Sequence, residues 1–403
     1  MLQGAQNTNT LRRRGRNHRL ALLGALLIAI SLMTGAIGCD PAPDYLEIRN
    51  WHDLYAVRGN PGGHYVLMND LDSSTAGYGA LAGNAANQGK GWQPIGSSDD
   101  PFTGTFDGRG YEIGDMFINR PDETVIGLFA AVDAGGVIQN IKVVNADVTG
   151  DWAVGGLIGE NWGYVRDSYS GGTVTGADCV GGLVGGNAGG VSDSCSAATV
   201  TGHWDVGGLV GCSDFRGSVT NSYSMGDVTG EWAVGGLVGG NLAGTVARSY
   251  STGSVTGADY VGGLVGDNQG SVSNSYSTGS VTGEWYVGGL VGDNDSTGSV
   301  SNSYSIASVT GYSFVGGLVG SNWGIVSNSF WDISTSSMNE SDGGTGKTTE
   351  AMQDIATFTD TTTEELDSKW DITTVGLGEN NDTFAWNIVT GQTHPFLSWQ
   401  SAS

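Results

Sequence analysis

Val261-Gly-Gly-Leu-Val-Gly266 is followed by Asn268, Gly270, Val272-Ser-Asn-Ser-Tyr-Ser277 and Gly279-Ser-Val-Thr-Gly283. This is the clearest of seven copies of one unit within residues 154–330. The opening Val recurs at Val154, Val180, Val206, Val234, Val261, Val287 and Val315, at intervals of 26, 26, 28, 27, 26 and 28 residues. A weaker copy begins at Val125. A period of 20–50 residues marks a solenoid or an array of small units. Each unit is rich in Gly, Ser, Thr, Val and Tyr and poor in helix formers. Val272, Asn274 and Tyr276 alternate with Ser273, Ser275 and Ser277, the period of a half-buried strand. Gly-Ser-Val-Thr-Gly and Gly-Leu-Val-Gly supply two more short β stretches.

Three strands and three glycine turns in about 26 residues suit one coil of an all-β, right-handed parallel β-helix. A single coil cannot bury its apolar face, so coils must stack. Strands ~4.8 Å apart make eight coils a rod of ~40 Å. Stacking predicts three ladders. The first is Val165, Val191, Val219, Val246, Val272, Val300 and Val326. The second is Tyr169, Cys195, Tyr223, Tyr250, Tyr276, Tyr304 and Phe330, read as part of the buried face. The third is Asn161, Asn187, Asn241, Asn268, Asn294 and Asn322, with Ser213 as an interruption. Stacked amides satisfy one another, so the Asn row reads as structural. In Val-Gly-Gly-Leu-Val, strict alternation cannot bury all three apolar residues. Either the Gly-Gly bends the chain or one row is exposed.

These residues resemble the GLUG-motif repeat over roughly residues 125–330. That family occurs in bacterial surface proteins, including filamentous adhesins and the non-catalytic parts of some immunoglobulin A peptidases. Gly91-Trp-Gln-Pro-Ile-Gly96, Phe102-Thr-Gly-Thr-Phe-Asp-Gly108 and Gly343-Gly-Thr-Gly-Lys347 resemble the flanks of such proteins. The resemblance implies a secreted or surface β-solenoid; it does not imply a catalytic activity.

Residues 1–19 hold five Arg and no acid, and residues 20–38 are almost wholly apolar, the pattern of a removable secretory signal. Ala36-Ile37-Gly38-Cys39 resembles a bacterial lipobox, which implies lipid on Cys39 and cleavage before it. The expectation is a signal peptide at 1–38, a tether at 39–44 and a lipid-anchored, extracytoplasmic protein of the cell envelope. Removing 1–38 lowers the net charge from −25 to −30. So acidic a chain repels nucleic acid. Cys179, Cys195 and Cys212 allow one disulfide with a thiol left over, or three free thiols.

Residues 45–124 are expected to form an N-terminal cap and irregular early coils. A helix over 50–57 is capped by Asn50, with Trp51, Leu54 and Tyr55 on one face. Residues 331–403 are expected to form a C-terminal cap. It would hold a helix over 348–358 and an aromatic cluster of Trp386, Pro395-Phe396-Leu397 and Trp399 over the last coil.

Little in the sequence announces a reaction. His52, His64, His203 and His394 lack metal-ligand spacing. Gly346-Lys347-Thr348 lacks the rest of a phosphate loop, since position 341 is Ser341. No cofactor, metal site or catalytic residue is expected. One row suits binding: Trp152, Asp178, Trp204, Trp232, Asp259 and Trp285, with Ser313 in the last copy, each in a turn before Val-Gly-Gly. Glu231 and Glu284 adjoin it. Aromatic planes beside carboxylates suit sugar rings and their hydroxyls. Shielding of turns by these Trp is the competing reading. The functional expectation is a non-catalytic adhesin or binding protein with a glycan or cell-surface ligand. The alternatives are a β-helical polysaccharide-active enzyme and a passive envelope spacer.

Overall fold

A computed structural model describes residues 44–214, 216–362 and 366–400. The signal peptide, Cys39 and all of the tether but Asp44 lie outside them. Residues 44–403 form one compact unit, a parallel β-solenoid. One eleven-stranded sheet runs its length, from Leu46–Ile48 through His64–Leu67, Thr105–Asp107 and Val137–Gln139 to Ile325–Ser327. Every pair within that sheet is parallel and joins like positions, such as Val246 to Val272 and Val272 to Val300. Among the described residues no helix is long and apolar enough to cross a membrane.

A coil contains five short strands, not three. In one coil these are Asp259–Gly262, Val265–Asn268, Ser271–Ser273, Tyr276–Ser277 and Val281–Thr282. Two kinds of break cut the chain so often. The first is Gly-Gly. A Cβ on Gly262 would lie 1.9 Å from the Val265 carbonyl oxygen, and one on Gly263 would lie 2.1 Å from that of Gly289. Only glycine passes this corner. Beyond it the N–H groups of Leu264 and Val265 both donate to the Leu290 carbonyl, and Val261, Leu264 and Val265 all point inward. The bend, not an exposed row, resolves the alternation problem.

The second break is a left-handed residue at each of two corners. One corner carries Asn140, Asp167, Asp193, Asn221, Arg248, Asn274, Asn302 and Asn328, mostly the Asn and Asp that tolerate this conformation. The left-handed Asn274 inverts the inside–outside parity of the residues after it. Ser275 and Ser277 therefore face inward, and the Tyr276 row faces outward. The sequence reading, which put the Tyr ladder on the buried face of the coils, is corrected here. The inward Ser row is a hydrogen-bonded spine: Ser275 N–H donates to Ser303 Oγ at 3.1 Å, and Ser275 Oγ–H donates to the Ser273 carbonyl at 2.8 Å.

The Val and Asn ladders form as expected. Asn241 donates to Asn268, Asn268 to Asn294, and Asn294 to Asn322, at 2.7–2.8 Å. At the N-terminal end the helix Trp51–Ala56 is capped by Asn50, which accepts from the N–H groups of His52 and Asp53. Trp51 and Leu54 enter the main core, whereas Tyr55 is exposed, because the helix is too short to bury a wider face.

The C-terminal segment departs from expectation. Residues 331–342 close the last coil: Ser341 Oγ accepts from the N–H groups of Leu318 and Val319, and Asp342 accepts from that of Asn322. The expected helix splits into Thr349–Met352 and Ala356–Thr359. The aromatic cluster does not cover the end of the rod. It runs back along the outside over the Tyr ladder. Trp399 stacks on Tyr223 and Tyr250, Gln400 donates to the Tyr276 hydroxyl, and Trp386 Nε1–H donates to Asn274. Tyr276, Tyr304, Phe330, Trp370 and Trp386 thus belong to a second core, separate from the solenoid interior.

Candidate functional site: an outward Trp and Asp row

The seven positions singled out in the sequence are in register. Trp152 pairs with Asp178, Asp178 with Trp204, Trp204 with Trp232, Trp232 with Asp259, Asp259 with Trp285 and Trp285 with Ser313. They are the first residues of short strands rather than turn residues, and they form one edge of a seven-stranded sheet. Trp204 and Trp285 are 37% and 40% exposed, large values for indoles. Trp204 and Trp232 stack at 5.4 Å and 10°. Trp285 meets Tyr312 edge-on at 5.8 Å. Trp152 differs, because it packs on Val125, Ala130, Ala131 and Ala153, which is the shielding role. Glu231 sits beside the row and pairs with His203 at 3.2 Å; both are exposed.

A second aromatic row adjoins the first. Ala153, Cys179, Asp205, Ala233, Tyr260, Tyr286 and Phe314 each come directly after a row residue in the chain, and all are left-handed. Tyr260 stacks on Tyr286 at 5.0 Å, and Tyr286 stacks on Phe314 at 4.8 Å. A bulky residue in this conformation is an outlier. The signal was present in sequence as an aromatic after Asp259, Trp285 and Ser313, but without the backbone it reads as core.

Cys179 bonds to Cys212, which joins neighbouring coils, and Cys195 is a free thiol in a Tyr slot. Asp178, Cys179 and Asp205 cluster closely, but a disulfide sulfur supplies no thiolate, so two carboxylates remain.

Two other places gather polar groups away from this row. Asp107, Arg109, Gly110, Asn140, Lys142 and Asp167 line a shallow depression. Asp107 is committed there to the Arg109 N–H, Gln139 and Asn140. At the solenoid's end, buried Asp332 accepts from Thr349 at 2.7 Å and lies 3.2 Å from His394 Nε2. It also caps Ile333–Ser336. Burial alone would raise the Asp332 pKa, but the bonds from Thr349, His394 and the two N–H groups outweigh it and hold it low. The acid stands between Thr and His, so this is not a nucleophile–base–acid relay.

Residues 202–229, 230–256, 257–282 and 283–310 each match the sequence profile of the GLUG motif. They are GLUG repeats. Halomucin of Haloquadratum walsbyi is 35% identical over 134 residues, which is 32% of this chain and 1% of that protein. A protein of Evansella cellulosilytica, provisionally named a Gly-rich membrane protein, is 34% identical over 138 residues, 34% of this chain and 15% of its own length. The chain therefore spans a small part of either relative. Among solved structures, one provisionally named an immunoglobulin A1 protease, from Bacteroides ovatus, aligns with a TM-score of 0.47 and 19% identity. It covers 72% of this chain and 85% of its own. A second, named IgA1 protease, aligns at 0.44 and 17%, over 70% and 21%. The two sequence relatives carry names that denote no enzyme. The repeats and the fold together make this stretch a β-solenoid of GLUG motifs.

Proposed function

We propose that this chain is a lipid-anchored, extracytoplasmic surface protein that binds carbohydrate without catalysis, through the Trp and Asp row. The observation that carries this reading is the exposure of Trp204 and Trp285 in a rigid, in-register edge beside carboxylates. Indole faces take the apolar side of a sugar ring, and carboxylates accept its hydroxyls. The stacked Tyr260, Tyr286 and Phe314 support it, because they add a second run of aromatic faces beside the first. The membrane-protein relative and the lipobox-like Cys39 support the envelope location. The acidic charge argues against nucleic acid as a ligand. Trp152, packed on a small apolar cluster, favours a purely structural role at that one rung.

One experiment tests both parts, with the full chain expressed in a bacterial envelope and assayed on a glycan array. Trp232→Ala with Trp285→Ala is expected to abolish glycan binding while circular dichroism stays that of the wild type. Cys39→Ser is expected to leave the protein unacylated and unable to stay on the membrane. Full-strength binding by the double variant would refute the site, and its unfolding would make those Trp structural. An unmodified chain, intact from Met1 to Ser403, would refute the anchor.

A further inference from the structure

The last coil breaks the pattern of the coils before it. Three outward positions of the preceding coil hold Glu284, Asp295 and Ser299. At the same rungs the last coil holds Tyr312, Trp323 and Ile325. These three are 81%, 77% and 67% exposed, and Phe314, two residues after Tyr312, is 55% exposed. Terminal repeats of a solenoid ordinarily turn a polar outer face to water. Here large apolar side chains replace polar ones at the end of the stack.

The same coil holds open strand edges. Among the described residues, Ser313–Gly316 and Ile325–Ser327 are the last strands of their sheets and pair on one side only. The closing segment lies instead over Val319–Asn322 and Phe330–Asp332. The Ile325 N–H donates back to the Gly298 carbonyl, and the Ser327 carbonyl accepts from the Asn302 N–H. Successive residues of a strand direct their backbone groups to alternate edges. Val326, between the two, therefore turns its N–H and C=O to the open side. A two-fold axis at Val326 would set two such strands antiparallel, and the two Val326 residues would exchange both bonds.

Area and symmetry identify the occupant. At ~200 Å² for a large side chain, the four residues leave roughly 550 Å² of surface in water. Two copies would hide about twice that, and with the strand edges this passes the roughly 1,000 Å² that a specific interface needs. Two-fold contacts, in which one patch meets itself, are the commonest way for a chain to associate with its own kind. We propose that the C-terminal tip of the rod is a homotypic interface, at which a second copy of this chain pairs tip to tip about a two-fold axis. The acids nearby, such as Glu284 and Asp295, oppose the contact, because residues 249–346 hold no Lys or Arg to offset them. Apolar burial therefore drives the pairing, and salt strengthens it by screening the acids. The tip lies at the other end of the solenoid from Asp44 and the tether. On anchored chains the contact would join rods that stand on facing surfaces, and that consequence alone rests on the anchor reading.

Sedimentation velocity tests the pairing. Residues 44–403, which contain both cores, are weighed from about 1 to about 100 µM, the weaker end of the affinities that interfaces of this size reach. The wild type is expected to pass from monomer to dimer within that range. Trp323→Asp with Ile325→Ser gives the last coil the side chains of the coil before it. It is expected to keep the fold by circular dichroism and to weaken the dimer at least about a hundredfold, since each loss counts twice across the axis. Trp162→Asp with Tyr164→Ser makes the same exchange at exposed residues of the coil that begins at Val154, and is expected to leave the dimer unchanged. If the Trp323 variant fails to fold, Tyr312→Glu, which restores the residue of the coil before, is read in the same way. Raising the salt from about 0.1 M to about 1 M is expected to tighten the dimer severalfold. A wild type that stays monomeric throughout would overturn the proposal. So would a dimer that the tip variant retains, a dimer that salt dissociates, or an open-ended series of oligomers, which marks a head-to-tail contact.

Discussion

Ser213 breaks the Asn ladder, and the break is visible in the hydrogen bonds. The Nδ2 groups of Asn241, Asn268 and Asn294 each donate to the Asn Oδ1 of the next coil. Asn241 Oδ1 receives nothing, although it is buried, because the residue below it is Ser213. A buried acceptor without a donor costs ~1–3 kcal/mol. Ser213→Asn is therefore expected to raise stability by about 1 kcal/mol, read as a higher denaturation midpoint with an unchanged slope. An unchanged or lower midpoint would mean that the amide does not reach across this coil. Asp293 is a second residue with a stored cost. Burial, aided by Asp267, Asp295 and Asp342, raises its pKa to about 6 despite a bond from Ser321. The folded value lies above that of an unfolded carboxylate, ~3.9, so the unfolded state holds fewer protons between the two. This residue's contribution to stability therefore falls as pH rises from about 4 to about 6.

The C-terminal strap is the element that the sequence conceals. Its aromatics were legible as a cluster, but their partner was not, because the Tyr ladder was assigned to the inside. The cause is local: the left-handed residue at one of each coil's two such corners, Asn274 for example, reverses the parity of the Tyr row. A period-2 reading across that residue fails for every coil at once. The Val272 and Asn268 rows were legible because each lies on one unbroken strand. The disulfide was not decidable for a similar reason. Cys179 and Cys212 are 33 residues apart, not one period, and they meet across a corner between two sheets. The Trp and Asp row was legible as a register. Its companion row at Tyr260, Tyr286 and Phe314 was not, since nothing in sequence marks those residues as outward.

The strap gives a sharp prediction. Tyr276 is almost fully buried, yet beneath the strap rather than within the coils. Tyr276→Asp would place a carboxylate under Trp386 and Gln400, and an unpaired buried charge costs several kcal/mol. The strap should detach while the coils stay stacked. Limited proteolysis is expected to cut within residues 345–400 of the variant and to leave a resistant core over 44–342, since 331–342 close the last coil. A variant that loses the whole β signal would mean that the strap is integral to the solenoid.

At the scale of the molecule, the repeated and the variable positions are kept apart in space. Inside, the Val, Asn and Ser rows repeat almost without change and set the stack. Outside, one flank carries the strap, and another carries an edge whose residues change from coil to coil. Replacing an outward residue need not disturb the stack, so such a rod can vary its ligand at little structural cost. The proposed glycan seat is therefore the Trp and Asp edge and no other face. Hydrogen–deuterium exchange of residues 44–403, with and without the neutral tetrasaccharide that binds most tightly, tests this directly. Slowed exchange is expected at 230–233, 258–262 and 284–288, with unchanged exchange along the Asn ladder and beneath the strap. Protection centred on the strap, or on the depression around Arg109 and Lys142, would contradict it.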